Sequence, residues 1–139
     1  MNVKKEIQDI MLSCHKVPPE MGGIIGERYG IVDTVIVDLG VQGLKPGVYS
    51  PNIDFINQII DEWCEVGINF VGIFHTHAKQ WPNLSSSDQK YIEKIMCSMP
   101  QNVDKLLFPL VFPGEYIKWY IAEKQIEGIE IYESTINIV

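Results

Sequence analysis

Apolar residues along the chain change period several times, and each change marks a candidate element. Ile7, Ile10, Met11 and Cys14 share one face of a helix predicted over residues 3–16, which Pro18-Pro19 ends. Gly22 to Gly26 and Ile31 to Val37 read as two strands joined through Tyr29-Gly30. Gly40, Gly43, Pro46, Gly47 and Pro51 mark a loop. Ile53, Phe55, Ile56, Ile59, Ile60 and Trp63 form a helical stripe over residues 52–64, closed by Gly67, and are expected in the core. The β-branched and aromatic run from Ile68 to His75 predicts a buried strand. After a polar loop with Trp81-Pro82, a helix is expected from Ser86 to Met96, with Tyr91, Ile92, Ile95 and Met96 inward. Strands near 105–112, 116–122 and 128–133 follow. The order α-β-β-α-β-α-β-β-β implies an α/β fold, a mixed β-sheet flanked by helices.

Composition narrows the class. A chain of 139 residues suits one domain, and no repeat divides it. Its longest apolar stretch, Leu106 to Phe112, contains Pro109 and falls far short of the ~20 residues that a spanning helix needs. Glu6 and Asp9 interrupt any secretory apolar region. Cys14, Cys64 and Cys97 form no CxxC pair and leave an odd count, so they are expected to be small buried hydrophobes in a reducing, cytoplasmic setting. A net charge of −7 disfavours nucleic-acid and anionic-membrane partners.

The chemistry concentrates in His75-Thr76-His77 and Ser85-Ser86-Ser87-Asp88. Residues two apart on a strand share a face, so both imidazoles emerge together while Thr76 faces away. Such a pair is half of a zinc site. His15 is the sole other histidine and no cysteines pair, which leaves a carboxylate as the natural third ligand. Asp88, eleven residues after His77 and in the first turn of the predicted helix, is well placed for it. Three protein ligands leave one coordination place open, as catalytic sites require. Each signal also has a bland account. The histidines fit two ordinary polar residues near a strand end, Ser85-x-x-Asp88 fits a capping box, and Glu20 alone fits a solvated loop carboxylate. His15 reads as a surface residue at a helix end.

Other His-x-His folds match the inventory poorly. A cupin-type site wants a later histidine, and none follows His77. A metallo-β-lactamase-type site wants a further histidine and aspartate soon after the pair, where Ala78-Lys79-Gln80 stands. Amidohydrolase barrels need about 250 residues, and zinc deaminases need His-x-Glu with Pro-Cys-x-x-Cys.

Taken in order, Glu20 before Gly22-Gly23, then His75-Thr76-His77, seven residues, and Ser85-Ser86-Ser87-Asp88 resemble the JAMM (MPN+) zinc metalloprotease domain. The resemblance covers most of the chain, with one departure: Ala78 stands where many members carry proline after the second histidine. It implies a cytidine-deaminase-like JAMM fold and Zn²⁺ held by His75, His77 and Asp88. It further implies Glu20 as proton-transfer base and Ser85 as hydrogen-bond donor to the developing oxyanion. The expected activity is that of an isopeptidase or peptidase, with the C-terminal tail of a ubiquitin-like or sulfur-carrier protein as substrate. The alternatives are a non-catalytic scaffold of the same fold and a hydrolase of a small amide. Gly22 and Gly23 read either as a close backbone approach to the site or as a flexible strand start.

Overall fold

The computed structural model describes residues 1–15, 20–40 and 49–139. The Pro18-Pro19 stop and most of the expected 40–51 loop lie outside the described residues. Along the chain come β1 (Asn2–Val3), α1 (Lys5–Leu12), β2 (Gly22–Arg28), β3 (Ile31–Asp38) and α2 (Ile53–Glu65). They are followed by β4 (Asn69–Thr76), α3 (Ser86–Ser98), β5 (Lys105–Phe112), β6 (Tyr116–Gln125), β7 (Gly128–Ser134) and β8 (Asn137–Ile138). Every predicted element is present. β1 and β8, two residues each, are too short to show any period.

The strands make one mixed sheet in the order β7-β6-β5-β4-β2-β3-β1-β8. β2 pairs antiparallel with both β3 and β4, while β4 and β5 run parallel across the α3 connection. The β2–β3 hairpin turns through Tyr29 (φ 55°) and Gly30 (φ 77°). Two consecutive positive φ values suit a tight hairpin turn, and glycine takes its share without strain.

Helices cover both faces of the sheet. Ile7 and Met11 of α1 pack with Ile25, Phe74, Leu107 and Val111 on one face. Ile56 and Trp63 of α2 and Ile92 and Met96 of α3 pack with Ile24, Ile73 and Phe108 on the other. Alternation along β4 assigns Phe74 to the first face and Ile73 to the second.

Some local expectations give way to tertiary packing. The first helix starts at Lys5 rather than residue 3, because Asn2 and Val3 pair with β3 and Val3 enters the core. It ends at Leu12, whose carbonyl accepts the Gly114 N–H at 2.8 Å. Ile10 is 43% exposed rather than inward, since the covered stripe of α1 is only as wide as Ile7 and Met11. Ile53 is 55% exposed, so the apolar stripe of α2 is not all core. Cys64 and Cys97 are exposed on the outer sides of α2 and α3, and Cys14 is half-buried. Among the described residues, no helix is long and apolar enough to cross a membrane.

Candidate metal centre

Strand register assembles the site. In the β2–β4 pair, Gly22 lies opposite His75 and Gly23 opposite Phe74. The pairing continues one step past β2, where the Thr76 N–H donates to the Met21 carbonyl at 2.8 Å and the Met21 N–H donates to Thr76 Oγ1 at 3.0 Å. One residue further, Glu20 therefore meets His77. Directly opposed residues share a face, so Glu20, His75 and His77 converge on the side covered by α2 and α3. Thr76 points away and is fully buried, as the strand period requires. Gly22 is needed here: a Cβ would lie 2.4 Å from the Phe74 carbonyl and 2.5 Å from the Tyr49 ring. The close-approach reading of this glycine holds.

Helix α3 brings the second carboxylate. Ser85 caps it in a full capping box: Ser85 Oγ accepts the Asp88 N–H at 3.0 Å, and Asp88 Oδ2 accepts the Ser85 N–H at 2.8 Å. Capping and cluster geometry coexist in Asp88. Its Oδ1 lies 3.4 Å from His75 Nε2 and its Oδ2 lies 3.2 Å from His77 Nε2. Glu20 Oε1 lies 3.4 Å from His77 Nε2. Ser85 itself is exposed, with its oxygen turned to the helix end.

The donor set suits a cation. Glu20, His75 and His77 each offer a ligand atom, all within 4.8 Å of one another. Asp88 adds a carboxylate that touches both imidazoles, so the cluster holds two carboxylates where a single third ligand was expected. The Trp81 carbonyl lies 3.0 Å from His77 Nδ1. A carbonyl only accepts, which places a proton on Nδ1 and leaves Nε2 as the ring nitrogen that faces the carboxylates. His75 Nε2 is buried and has no hydrogen-bond partner among the described residues. Two ring nitrogens close to Glu20, with Asp88 in contact with both rings, fit a divalent ion.

Electrostatics follow from this crowding. Burial pushes the Glu20 carboxyl up, opposed by His77 and His75 and reinforced by Asp88. Burial pulls His77 down, but Asp88, the Trp81 carbonyl and Glu20 outweigh it, so the ring is raised overall. Asp88 is held far below its ordinary range: burial opposes ionisation, and contacts with His75, His77 and the Ser85 N–H prevail.

Two features escaped the sequence reading. The loop after His77 is fastened, with Lys118 Nζ donating to the Pro82 carbonyl at 2.5 Å and to Asn83 Oδ1 at 3.2 Å. This tether steadies the segment that supplies the Trp81 carbonyl. Trp81 otherwise stands 66% exposed beside the site. A cavity of about 890 Å³ also opens from Glu20, His75 and Asp88 into the space between α2 and α3. No local pattern announces a gap between two helices. His15 is exposed beyond the end of α1, apart from the cluster.

No protein-family model matches the chain, and no curated protein sequence does. Among solved structures, a solution structure of a Desulfitobacterium hafniense protein is similar over 99% of this chain and 93% of that one, with a TM-score of 0.65 at 17% identity. A solution structure of a Salinibacter ruber protein covers 100% and 92%, with a TM-score of 0.55 at 13% identity. At these identities the likeness speaks to the fold alone.

Proposed function

We propose that the chain is a zinc-dependent hydrolase of amide bonds, of the JAMM (MPN+) type and fold. Its proposed substrate is the C-terminal tail of a ubiquitin-like or sulfur-carrier protein. The observation that carries this reading is the convergence of the His75 and His77 ring nitrogens with the carboxylates of Glu20 and Asp88.

His75, His77 and Asp88 would hold the ion. Asp88 is the stronger candidate for third ligand because it spans both imidazoles and is anchored by the Ser85 N–H, whereas Glu20 touches His77 alone. Zinc held there would supply Lewis-acid polarisation of the substrate carbonyl and a lowered pKa for bound water. Glu20 is free to take a proton from the attacking water and deliver it to the leaving amine. The Trp81 carbonyl keeps His77 in the tautomer whose Nε2 is available. The Ser85 O–H, whose oxygen already accepts the Asp88 N–H, retains its proton for a developing oxyanion.

Elemental analysis of purified protein is expected to find one zinc per chain. Glu20→Gln should keep that zinc and lose turnover of a tail-extended ubiquitin-like protein. Absence of stoichiometric metal, or full activity in Glu20→Gln, overturns the reading.

A further inference from the structure

The cavity beside the cluster has a definite length and chemistry. At about 890 Å³ it lies in the range of small-ligand sites, roughly 300–1,000 Å³. On α3, Asp88, Tyr91, Ile95 and Ser98 line it at spacings of three and four, one face of the helix. From Asp88 to Ser98 the helix rises about 15 Å. On α2, Ile53, Ile56 and Ile60 form the facing wall, and Ile73 and Phe108 of the sheet form the floor. Ile53 is mostly exposed and Ile60 half-buried, so apolar surface stays open to this gap. Polar side chains, among them Asn57, Lys94 and Ser98, also border the cavity, and Tyr91 is distinct among them. Its Oη is buried without a hydrogen-bond partner among the described residues, one turn beyond Asp88. The hydroxyl of Tyr49, by contrast, donates to Asp38 at 2.8 Å.

We propose that this groove holds the acyl side of the substrate as an extended peptide with bulky aliphatic side chains, one of whose carbonyls accepts a hydrogen bond from Tyr91. The proposal rests on the hydrolase reading and adds a substrate class to it. An extended backbone advances about 3.3 Å per residue, so roughly four to five residues fill the groove. A buried hydroxyl without a partner is unfavourable, and a peptide carbonyl removes the deficit. An alkyl chain leaves Tyr91 unpaired once water departs. A glycine-only tail leaves the isoleucine walls without contacts.

The test is calorimetric titration of the full chain carrying Glu20→Gln, so that binding is read without cleavage. The probes are an acetylated pentapeptide amide of alternating leucine and valine, the acetylated pentaglycine amide, and dodecanoyl amide. The aliphatic peptide is expected to bind at least about tenfold more tightly than the glycine peptide. Adding Tyr91→Phe should weaken it about fivefold. Adding Ile60→Glu should weaken it more than about tenfold, with thermal melting confirming a folded chain. Equal binding of the two peptides, or no effect of either substitution, overturns the proposal. Tighter binding of dodecanoyl amide that ignores Tyr91→Phe overturns the peptide occupant in favour of an acyl chain. Selective binding by a chain that holds no zinc and cleaves no amide sinks the hydrolase reading and spares the groove. Turnover without selective binding does the reverse.

Discussion

The two faces of the sheet are built from the same strands and left in different states. On the α1 face, Val3, Met11, Ile25, Val32, Phe74 and Val111 are all completely buried. On the other face, α2 and α3 each bury part of their apolar stripe, in Ile56, Trp63, Ile92 and Met96. Between them Ile53, Ile60, Tyr91 and Ile95 border a cavity. Adjacent residues of β4 serve the two purposes: Phe74 fills the closed face, and His75 opens onto the other. An apolar surface that is filled adds stability, whereas one left beside convergent polar groups is where a ligand goes. The cluster of Glu20, His75, His77 and Asp88 sits at the mouth of the unfilled side.

The largest expected effect tests what the open face is for. Asp88→Ala removes the carboxylate that touches both imidazoles, and His77→Ala removes a ring nitrogen from the centre. Each should abolish stoichiometric zinc and cut hydrolysis by more than about 10³, since a binding constellation acts as a unit. Far-UV circular dichroism should stay native in both. Zinc retained in His77→Ala breaks the assignment of this face to a metal.

Next in size is the contrast in packing. Phe74→Ala should cost about 3–5 kcal/mol in a urea titration, because the closed face cannot relax around the cavity. Ile53→Ala, at a position more than half exposed, should cost within about 0.5 kcal/mol. Similar losses at the two positions refute the view that only one face is filled.

Ser85 allows a finer separation between structure and chemistry. Its oxygen caps α3 through the Asp88 N–H, so Ser85→Ala should cost about 1 kcal/mol and Ser85→Gly only a few tenths. If the O–H also serves an oxyanion, both substitutions should lower kcat by about 10²–10³. A kcat that tracks only the stability loss leaves Ser85 as a cap and nothing more.

What could be read in the sequence depended on how local its cause was. The shared face of His75 and His77, and the opposite direction of Thr76, need only the strand period. The boundaries of α2, β4 and β5 likewise follow from apolar spacing. Glu20 is different, because it reaches His77 through the β2–β4 register, which residue chemistry does not encode locally; only the motif resemblance pointed to it. The α2 stripe shows the same limit. Helical spacing identifies which isoleucines share a face, but whether α3 packs against that face or stands off from it is decided elsewhere. Val3 falls in the predicted helix because its pairing partners in β3 and β8 lie far along the chain.

The smallest effect concerns how the rim of the open face is pinned. Asp38 is buried, and its carboxylate accepts the Tyr49 hydroxyl at 2.8 Å, the Asn52 N–H at 3.0 Å and the Gly40 N–H at 3.1 Å. The Tyr49 ring also packs where Gly22 leaves room. Burial, then the hydrogen bond to Asp38, pushes the Tyr49 phenol well above its ordinary value of 10. The fold therefore keeps the neutral phenol, while the unfolded chain ionises near pH 10, so this contribution is complete below that pH and is lost as pH rises beyond it. Tyr49→Phe should cost about 1 kcal/mol at pH 7, the net value of one hydrogen bond. The difference from wild type should shrink between about pH 9 and pH 11, near the ordinary tyrosine range. Tyr29→Phe, fully exposed in the hairpin turn, serves as the control. A Tyr49→Phe difference that stays constant across that range removes Tyr49 as a pin, and the open face would then owe its shape to α2 and α3 alone.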